Sequence, residues 1–350
     1  MGGELRNMIN VWIIVSSCLT YCYFISLRIP KGWVRLLSFL PVISIFVVLP
    51  LLLSAVLPRL ATGLAISWYA NFKLLLIALS HDDPLSADPS NSLLDFILLT
   101  SLPIKINENP SKDTQNKKNE LTFPLTFVMN AIIWSFMVQL DVKKKQYLLL
   151  ANPPVNNLLY FIRIIYLVQI GLDLIAATAK PFLKHELQQP FNNPALSSSL
   201  QNLWGKRWNL MASSLLRSLV YIPIRSLFAP IVGRRWAIHL AVIATFTVSG
   251  LIHEVLYLYV GLGWPTWEVT CFFLINGVCV AIEIEVKKKA SKSCWRLPRV
   301  ISVPSTVAFI VITGSWLCCK ELMRCGADIR EMEEYVALVD YMKRAIFATS

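Results

Sequence analysis

Residues 237–260 read AIHLAVIATFTVSGLIHEVLYLYV, and the fold turns on this stretch. Its 24 residues include no lysine or arginine and a single carboxylate, Glu254. Wound as an α-helix at 1.5 Å per residue it would be about 36 Å long, enough to cross roughly 30 Å of hydrocarbon. A helix is required, because in lipid every backbone N–H and C=O of a single span must find its partner within that span. Outward in both directions the pattern repeats. Runs at 9–27, 34–57, 60–80, 121–140, 158–177, 267–286 and 301–317 are apolar and long enough to span, the third interrupted by Asn71 and Lys73. Residues 93–104 are apolar but too short to cross, and are expected to be re-entrant or interfacial. The run 210–230 contains Arg217, Pro223 and Arg225 and is expected to form a bent or partly embedded helix. Polar connections fall at 81–91, 106–120 and 180–207, and 326–350 is a charged amphipathic tail. The first run is too long for a signal-peptide core and is read as a retained span. These features predict an all-α, polytopic membrane protein: one multi-pass domain over residues 1–350 with roughly eight transmembrane helices.

Composition agrees. Hydrophobic residues make up 55% of the chain and charged residues 15%, against about 25% charged in a soluble domain. Too little charge remains to coat a soluble surface, so lipid must cover much of the protein. The net charge of +12 could point to nucleic acid, but no nucleic-acid-binding motif accompanies it. Basic loops facing anionic headgroups explain it more simply, so membrane lipid is an expected partner and nucleic acid is not. None of the eight cysteines forms a Cys-x-x-Cys pair, and no metal site is predicted.

Four histidines, His81, His185, His239 and His253, are candidates for chemistry. None is followed by Asp at four or five residues, which excludes the signatures of soluble and glycerolipid acyltransferases. His253-Glu254 begins a zincin-like pair, but Tyr257 stands where the second histidine would be. No Gly-x-Ser-x-Gly elbow or phosphate-binding loop is present. What remains is Ser249-Gly250-Leu251-Ile252-His253-Glu254 inside the span. An acidic centre there costs roughly 2.5–3.5 kcal/mol on insertion scales, so such residues face a cavity or a partner. Ser249, His253 and Tyr257 share one helical face. A neutral imidazole on that face can act as a base toward a hydroxyl arriving from lipid. Equally, a His–Glu pair can pin two helices together. A second constellation runs from Phe191-Asn192-Asn193-Pro194 to Trp204-Gly205-Lys206-Arg207-Trp208-Asn209. Trp204 and Trp208, four residues apart, are expected to lie one turn apart on an interfacial helix, and an ordinary aromatic-basic belt has the same composition.

Together the two constellations are more specific. Trp204-Gly205-Lys206-Arg207-Trp208-Asn209, followed about 40 residues later by the intramembrane Ser249–Glu254 segment, resembles the membrane-bound O-acyltransferase superfamily. The closer similarity is to its plant wax synthase branch, the long-chain-alcohol O-fatty-acyltransferases. Further matches are Ser67-Trp68-Tyr69-Ala70-Asn71-Phe72-Lys73, then Leu102-Pro103-Ile104-Lys105-Ile106 before Asn109-Pro110. The chain departs from the branch at Asn202, Leu203 and Lys206, which bears on substrate choice more than on the reaction.

The resemblance implies a helical bundle around an intramembrane reaction chamber, with His253 as the catalytic histidine and Asn209 as the second polar catalytic residue. It implies direct transfer from acyl-CoA to a long-chain alcohol, giving a wax ester, with His253 as general base and Asn209 holding the thioester carbonyl or the hydroxyl. Acyl-CoA is then a substrate and no cofactor is expected. Trp204, Lys206, Arg207, Trp208, Arg217, Glu254 and Tyr257 are the expected substrate-binding residues. Arg225, Arg234 and Arg235 are further candidates for the CoA phosphates. The endoplasmic reticulum is the expected membrane. Within the same chemistry the acceptor could instead be a sterol or terpenoid alcohol. A different class is a transporter with a His253–Glu254 relay, against which stands the lack of an internal repeat. A non-catalytic, lipid-binding relative is a third reading.

Overall fold

The computed structural model describes residues 2–79, 92–107, 114–142, 152–183, 186–261, 263–290 and 297–347. The expected turn at 81–91, Asn109-Pro110 and lysines 143–145 lie outside these residues. In the described residues the chain is helical, with one isolated antiparallel bridge between Ile106 and Leu187. Helix α1 (Gly2–Arg28) packs beside α2 (Trp33–Val48). Val11, Val15, Leu19 and Cys22 of α1 are buried, as are Phe39, Val42 and Phe46 of α2. Those three- and four-residue spacings are the inward stripes of two helices whose other faces are apolar for lipid.

Hydropathy runs on from α2 without a break to residue 57, but the helix ends at Val48 and a 3-10 turn, Leu49–Leu52, follows. The break is made by hydrogen bonds that hydropathy does not register. The Glu4 carboxylate accepts from Ser54 N and Ala55 N, both at 2.9 Å. Glu334 accepts from Val56 N and Leu57 N at 2.5 and 3.0 Å, capping the next helix. That helix is one rod in three parts: α3 (Val56–Thr62), a π-helical segment (Gly63–Ala70) and α4 (Asn71–Leu79). Lys73 is buried and donates to the carbonyls of Leu99, Leu102 (2.6 Å) and Ile104 (3.2 Å). It thereby holds the end of α5 (Leu93–Ser101), the short apolar helix predicted not to cross.

The polar loop expected to reach residue 120 is shorter, because α6 (Thr114–Val142) begins six residues earlier than that limit. Helix α7 (Pro153–Ala179) follows, and then a connection carrying α8 (Leu200–Lys206). Helix α9 (Leu210–Leu216), a π-turn (Arg217–Tyr221) and α10 (Ile222–Val260) form one 51-residue run. At 1.5 Å per residue that is about 76 Å, too long for one crossing. The run bends where Gly233 leaves helical geometry (φ 82°, ψ 154°), a conformation open to glycine. The bend predicted from the proline and arginines thus falls at the glycine beyond them. Helices α11 (Glu268–Ala290), α12 (Arg299–Leu317), α13 (Cys319–Arg324) and α14 (Ala327–Phe347) complete the chain. Seven described helical segments have the length and apolarity to cross a membrane, and α6 adds the shorter apolar stretch Thr126–Asp141, in keeping with roughly eight.

Candidate active site

A cavity of about 1260 Å³ opens inside the bundle, walled chiefly by α7 to α12. It exceeds the roughly 300–1,000 Å³ usual for a small-molecule site. From α10 it receives Ser249, His253, Leu256 and Tyr257, the face that helical periodicity predicts. The His253 Nδ1 lies 2.7 Å from Ser249 O. A carbonyl oxygen only accepts, so Nδ1 carries the proton in the neutral ring and Nε2 presents its lone pair. Among the described residues Nε2 has no hydrogen-bonding partner. Trp68 (centroids 5.4 Å apart) and Phe273 (4.3 Å) clamp the imidazole.

Glu254, expected to contact substrate, is turned away. One residue further on, an α-helix has rotated by about 100°, and Glu254 Oε1 accepts from Thr270 N (3.2 Å) and Oγ1 (2.9 Å) on α11. The two helices come close there because Gly250 has no side chain; a Cβ would stand 3.0 Å from Thr270 Cα. The two readings of the His–Glu pair are therefore divided between its members: Glu254 pins the helices and His253 faces the chamber.

Asn209 lies in the cavity wall at the start of α9, buried and in the left-handed region at φ 41°, where asparagine is tolerated better than most residues. Its Oδ1 accepts from Ala212 N at 3.1 Å, a helix N-cap, and from Tyr69 Oη at 2.9 Å. Trp204 and Trp208 also line the chamber but not as a pair on one helix, since α8 ends at Lys206. Trp204 donates to Asn276 Oδ1 at 3.0 Å and packs on Phe246, Phe272 and Phe273. It is a half-buried wall residue of the chamber.

The cations divide. Lys206 and Arg217 are exposed and border the cavity, and the Arg217 guanidinium lies 5.5 Å from the centre of the Tyr221 ring. Arg207 does not line it. It donates to Asn202 Oδ1 (2.8 Å) and to the carbonyls of Asn192 (3.0 Å) and Asn193 (3.1 Å), tying the preceding turn to α8. Arg235 pairs with Glu285, which also meets His239 Nε2 at 2.9 Å. Arg225 and Arg234 are exposed and outside the wall. Tyr257 lines the cavity and donates to Cys318 O at 3.0 Å. Several wall residues received no role from sequence: Trp68, Gln169, Asp173 and Lys287. Asp173, a carboxylate inside an apolar run, carried the same signal of intramembrane cost that singled out Glu254.

The description "Membrane bound O-acyl transferase family" matches residues 187–275, which include Asn209 and His253. The chain is 38% identical to the probable long-chain-alcohol O-fatty-acyltransferase 2 of Arabidopsis thaliana over 99% of its length and 98% of that protein's. It is 38% identical to the long-chain-alcohol O-fatty-acyltransferase of Simmondsia chinensis, covering 98% and 97%. It is 36% identical to the acyl-CoA–sterol O-acyltransferase 1 of Arabidopsis thaliana, covering 95% of both. With a helical bundle enclosing a chamber and similarity along nearly its whole length, the chain belongs to the membrane bound O-acyl transferase family, in its plant long-chain-alcohol O-fatty-acyltransferase (wax synthase) branch, and is a multi-pass membrane enzyme that transfers an acyl group to an alcohol.

Proposed function

We propose that the enzyme moves a fatty-acyl group from acyl-CoA to a long-chain fatty alcohol in the endoplasmic reticulum membrane, forming a wax ester. The observation that carries this reading is the His253 ring, held as its Nδ1–H tautomer with Nε2 open toward a large, mostly apolar chamber that Asn209 shares. The alcohol oxygen attacks the thioester carbonyl carbon as Nε2 takes the hydroxyl proton. The carbon–sulfur bond then breaks, and the CoA thiolate leaves with that proton returned by the imidazolium. Asn209 steadies the carbonyl oxygen as it gains charge. The chain needs no acyl-enzyme and no cofactor for this sequence of steps. Trp204, Trp208 and Tyr257 shape the apolar wall, while Lys206 and Arg217 border the space where CoA phosphates would enter. A sterol acceptor is the second reading, favoured by the full-length similarity to a protein named as a sterol acyltransferase.

The test is acyl transfer in microsomes of a yeast strain lacking its own neutral-lipid acyltransferases, with labelled acyl-CoA and either a long-chain alcohol or a sterol. Ester formed from the alcohol and lost in His253→Ala is the expected result. Ester formed only from the sterol moves the acceptor to the second reading. No ester from either, with the protein well expressed, overturns both.

A further inference from the structure

The segment Ser67-Trp68-Tyr69-Ala70-Asn71 carries part of the family resemblance, yet the chemistry above gives Tyr69 nothing to do. Tyr69 has no exposed surface and does not line the cavity, so it touches no substrate. It sits in the π-helical segment Gly63–Ala70, a distortion often found at functional sites. Trp68 and Tyr69 are stacked, with centroids 5.0 Å apart and planes 14° apart. Trp68 lies against His253 while the Tyr69 hydroxyl reaches Asn209. Two consecutive residues therefore touch both members of the proposed catalytic pair.

An asparagine amide has an accepting end and a donating end, and which end faces the chamber decides what it can do. Ala212 N–H can only donate, so the Asn209 atom 3.1 Å away must be Oδ1. The Tyr69 hydroxyl donates to that same oxygen at 2.9 Å. Both oxygen lone pairs are then engaged inside the protein. Nδ2 has no hydrogen-bonding partner among the described residues, on a side chain that lines the cavity wall. We propose that Tyr69 is a positioning residue: with the N-cap bond it locks the Asn209 amide so that its NH2 group, not its carbonyl, is presented to the acyl carbonyl oxygen. Asn209 then acts as a donor preorganised for the charge that develops on that oxygen. This rests on the acyl-transfer reading of Asn209.

Four variants test it in the purified full chain: Asn209→Ala, Asn209→Asp, Tyr69→Phe and the double variant Tyr69→Phe/Asn209→Ala. Asn209→Asp keeps an oxygen for both Ala212 N and Tyr69 and caps a helix as well as asparagine does. With its carboxyl ionised it offers no donor, so at alkaline pH it should lose about 10²- to 10³-fold in kcat, as Asn209→Ala does. Tyr69→Phe should lower kcat about 10- to 100-fold with both KM values nearly unchanged, the effect of a misaligned group. In the Asn209→Ala background the same substitution should cost nothing further. Wild-type kcat in Tyr69→Phe overturns the proposal, as does an equal loss in both backgrounds, which would make Tyr69 merely structural. Wild-type turnover in Asn209→Asp at alkaline pH, where the carboxyl is ionised, overturns the orientation even if Tyr69→Phe fails to accumulate. Full activity in Asn209→Ala is a different failure, because it removes Asn209 from the reaction itself.

Discussion

His253 and Glu254 are neighbours in sequence and have opposite duties, which gives the residue scale its sharpest predictions. His253→Ala should lower turnover about 10²- to 10⁴-fold, the usual contribution of a general base, while the protein accumulates normally because the Glu254–Thr270 bonds remain. Glu254→Ala should do the reverse. It leaves the buried Thr270 donors unpaired, so stability should fall by about 1–3 kcal/mol while activity per folded molecule persists. Thermal unfolding in detergent beside initial rates separates the two, and a Glu254→Ala enzyme that folds well but turns over poorly would return Glu254 to the site. Lys206 and Arg207 divide in the same way. Lys206→Ala should raise the KM for acyl-CoA about tenfold, the worth of one charge-assisted hydrogen bond, with kcat little changed. Arg207→Ala should cost protein level first, because its bonds go to Asn192, Asn193 and Asn202. Sequence named both cations as candidates because charge and position are legible in it. Which one faces the cavity depends on where α8 stops, and that end is set by tertiary contacts.

Among the elements, α10 carries His253 and α11 carries the Phe273 ring packed on it, and the separation of the two helices is set by residues without side chains. Gly250 meets the Thr270 backbone, and Gly277 meets the Phe246 ring, where a Cβ would stand 2.9 Å from Phe246 Cβ. Gly250→Leu should therefore spread the two helices, break the Glu254 bonds and lose about 1–3 kcal/mol from overpacking, with His253 displaced from its clamp. Low expression and a parallel fall in activity are expected, and a well-folded, fully active variant would refute this packing. The helices themselves were legible, because a span announces itself by length and apolarity. Their ends were less so. The residue 34–57 run conceals a helix break held by Glu4 and Glu334, and carboxylates so distant in sequence leave no trace in local hydropathy. The π-helical segment under Trp68 and Tyr69 was equally invisible, since its residues would suit a regular helix.

At the scale of the molecule, the charged tail proves to be a strap. Helix α14 reaches three other elements: Glu334 caps α3, Arg330 donates to Val260 O at the end of α10 (2.9 Å), and Glu331 pairs with Arg163 of α7 at 3.2 Å. Arg163 is 1% exposed and is also paired with Asp141 of α6. Tyr335 donates to Glu331 at 2.6 Å; burial, then the nearby carboxylate, push its phenol above the ordinary value and keep it protonated. Arg163→Leu should strand two carboxylates and cost about 3–5 kcal/mol, whereas Arg163→Leu/Asp141→Asn/Glu331→Gln should recover most of the loss. Thermal unfolding of both variants checks this, and equal stability of the two would show that the charges do not matter. By itself the sequence determined that the chain is a helical membrane protein with costly polar residues at His253 and Glu254, because hydrocarbon admits few backbone solutions and makes each buried charge expensive. It also carried the family, through short motifs. Only the tertiary structure decided which of those polar residues faces the chamber, that Tyr69 meets Asn209, and that the tail closes onto three helices. Those outcomes rest on contacts between residues far apart in the chain, such as the 140 positions from Tyr69 to Asn209, and no local pattern encodes a distance in space.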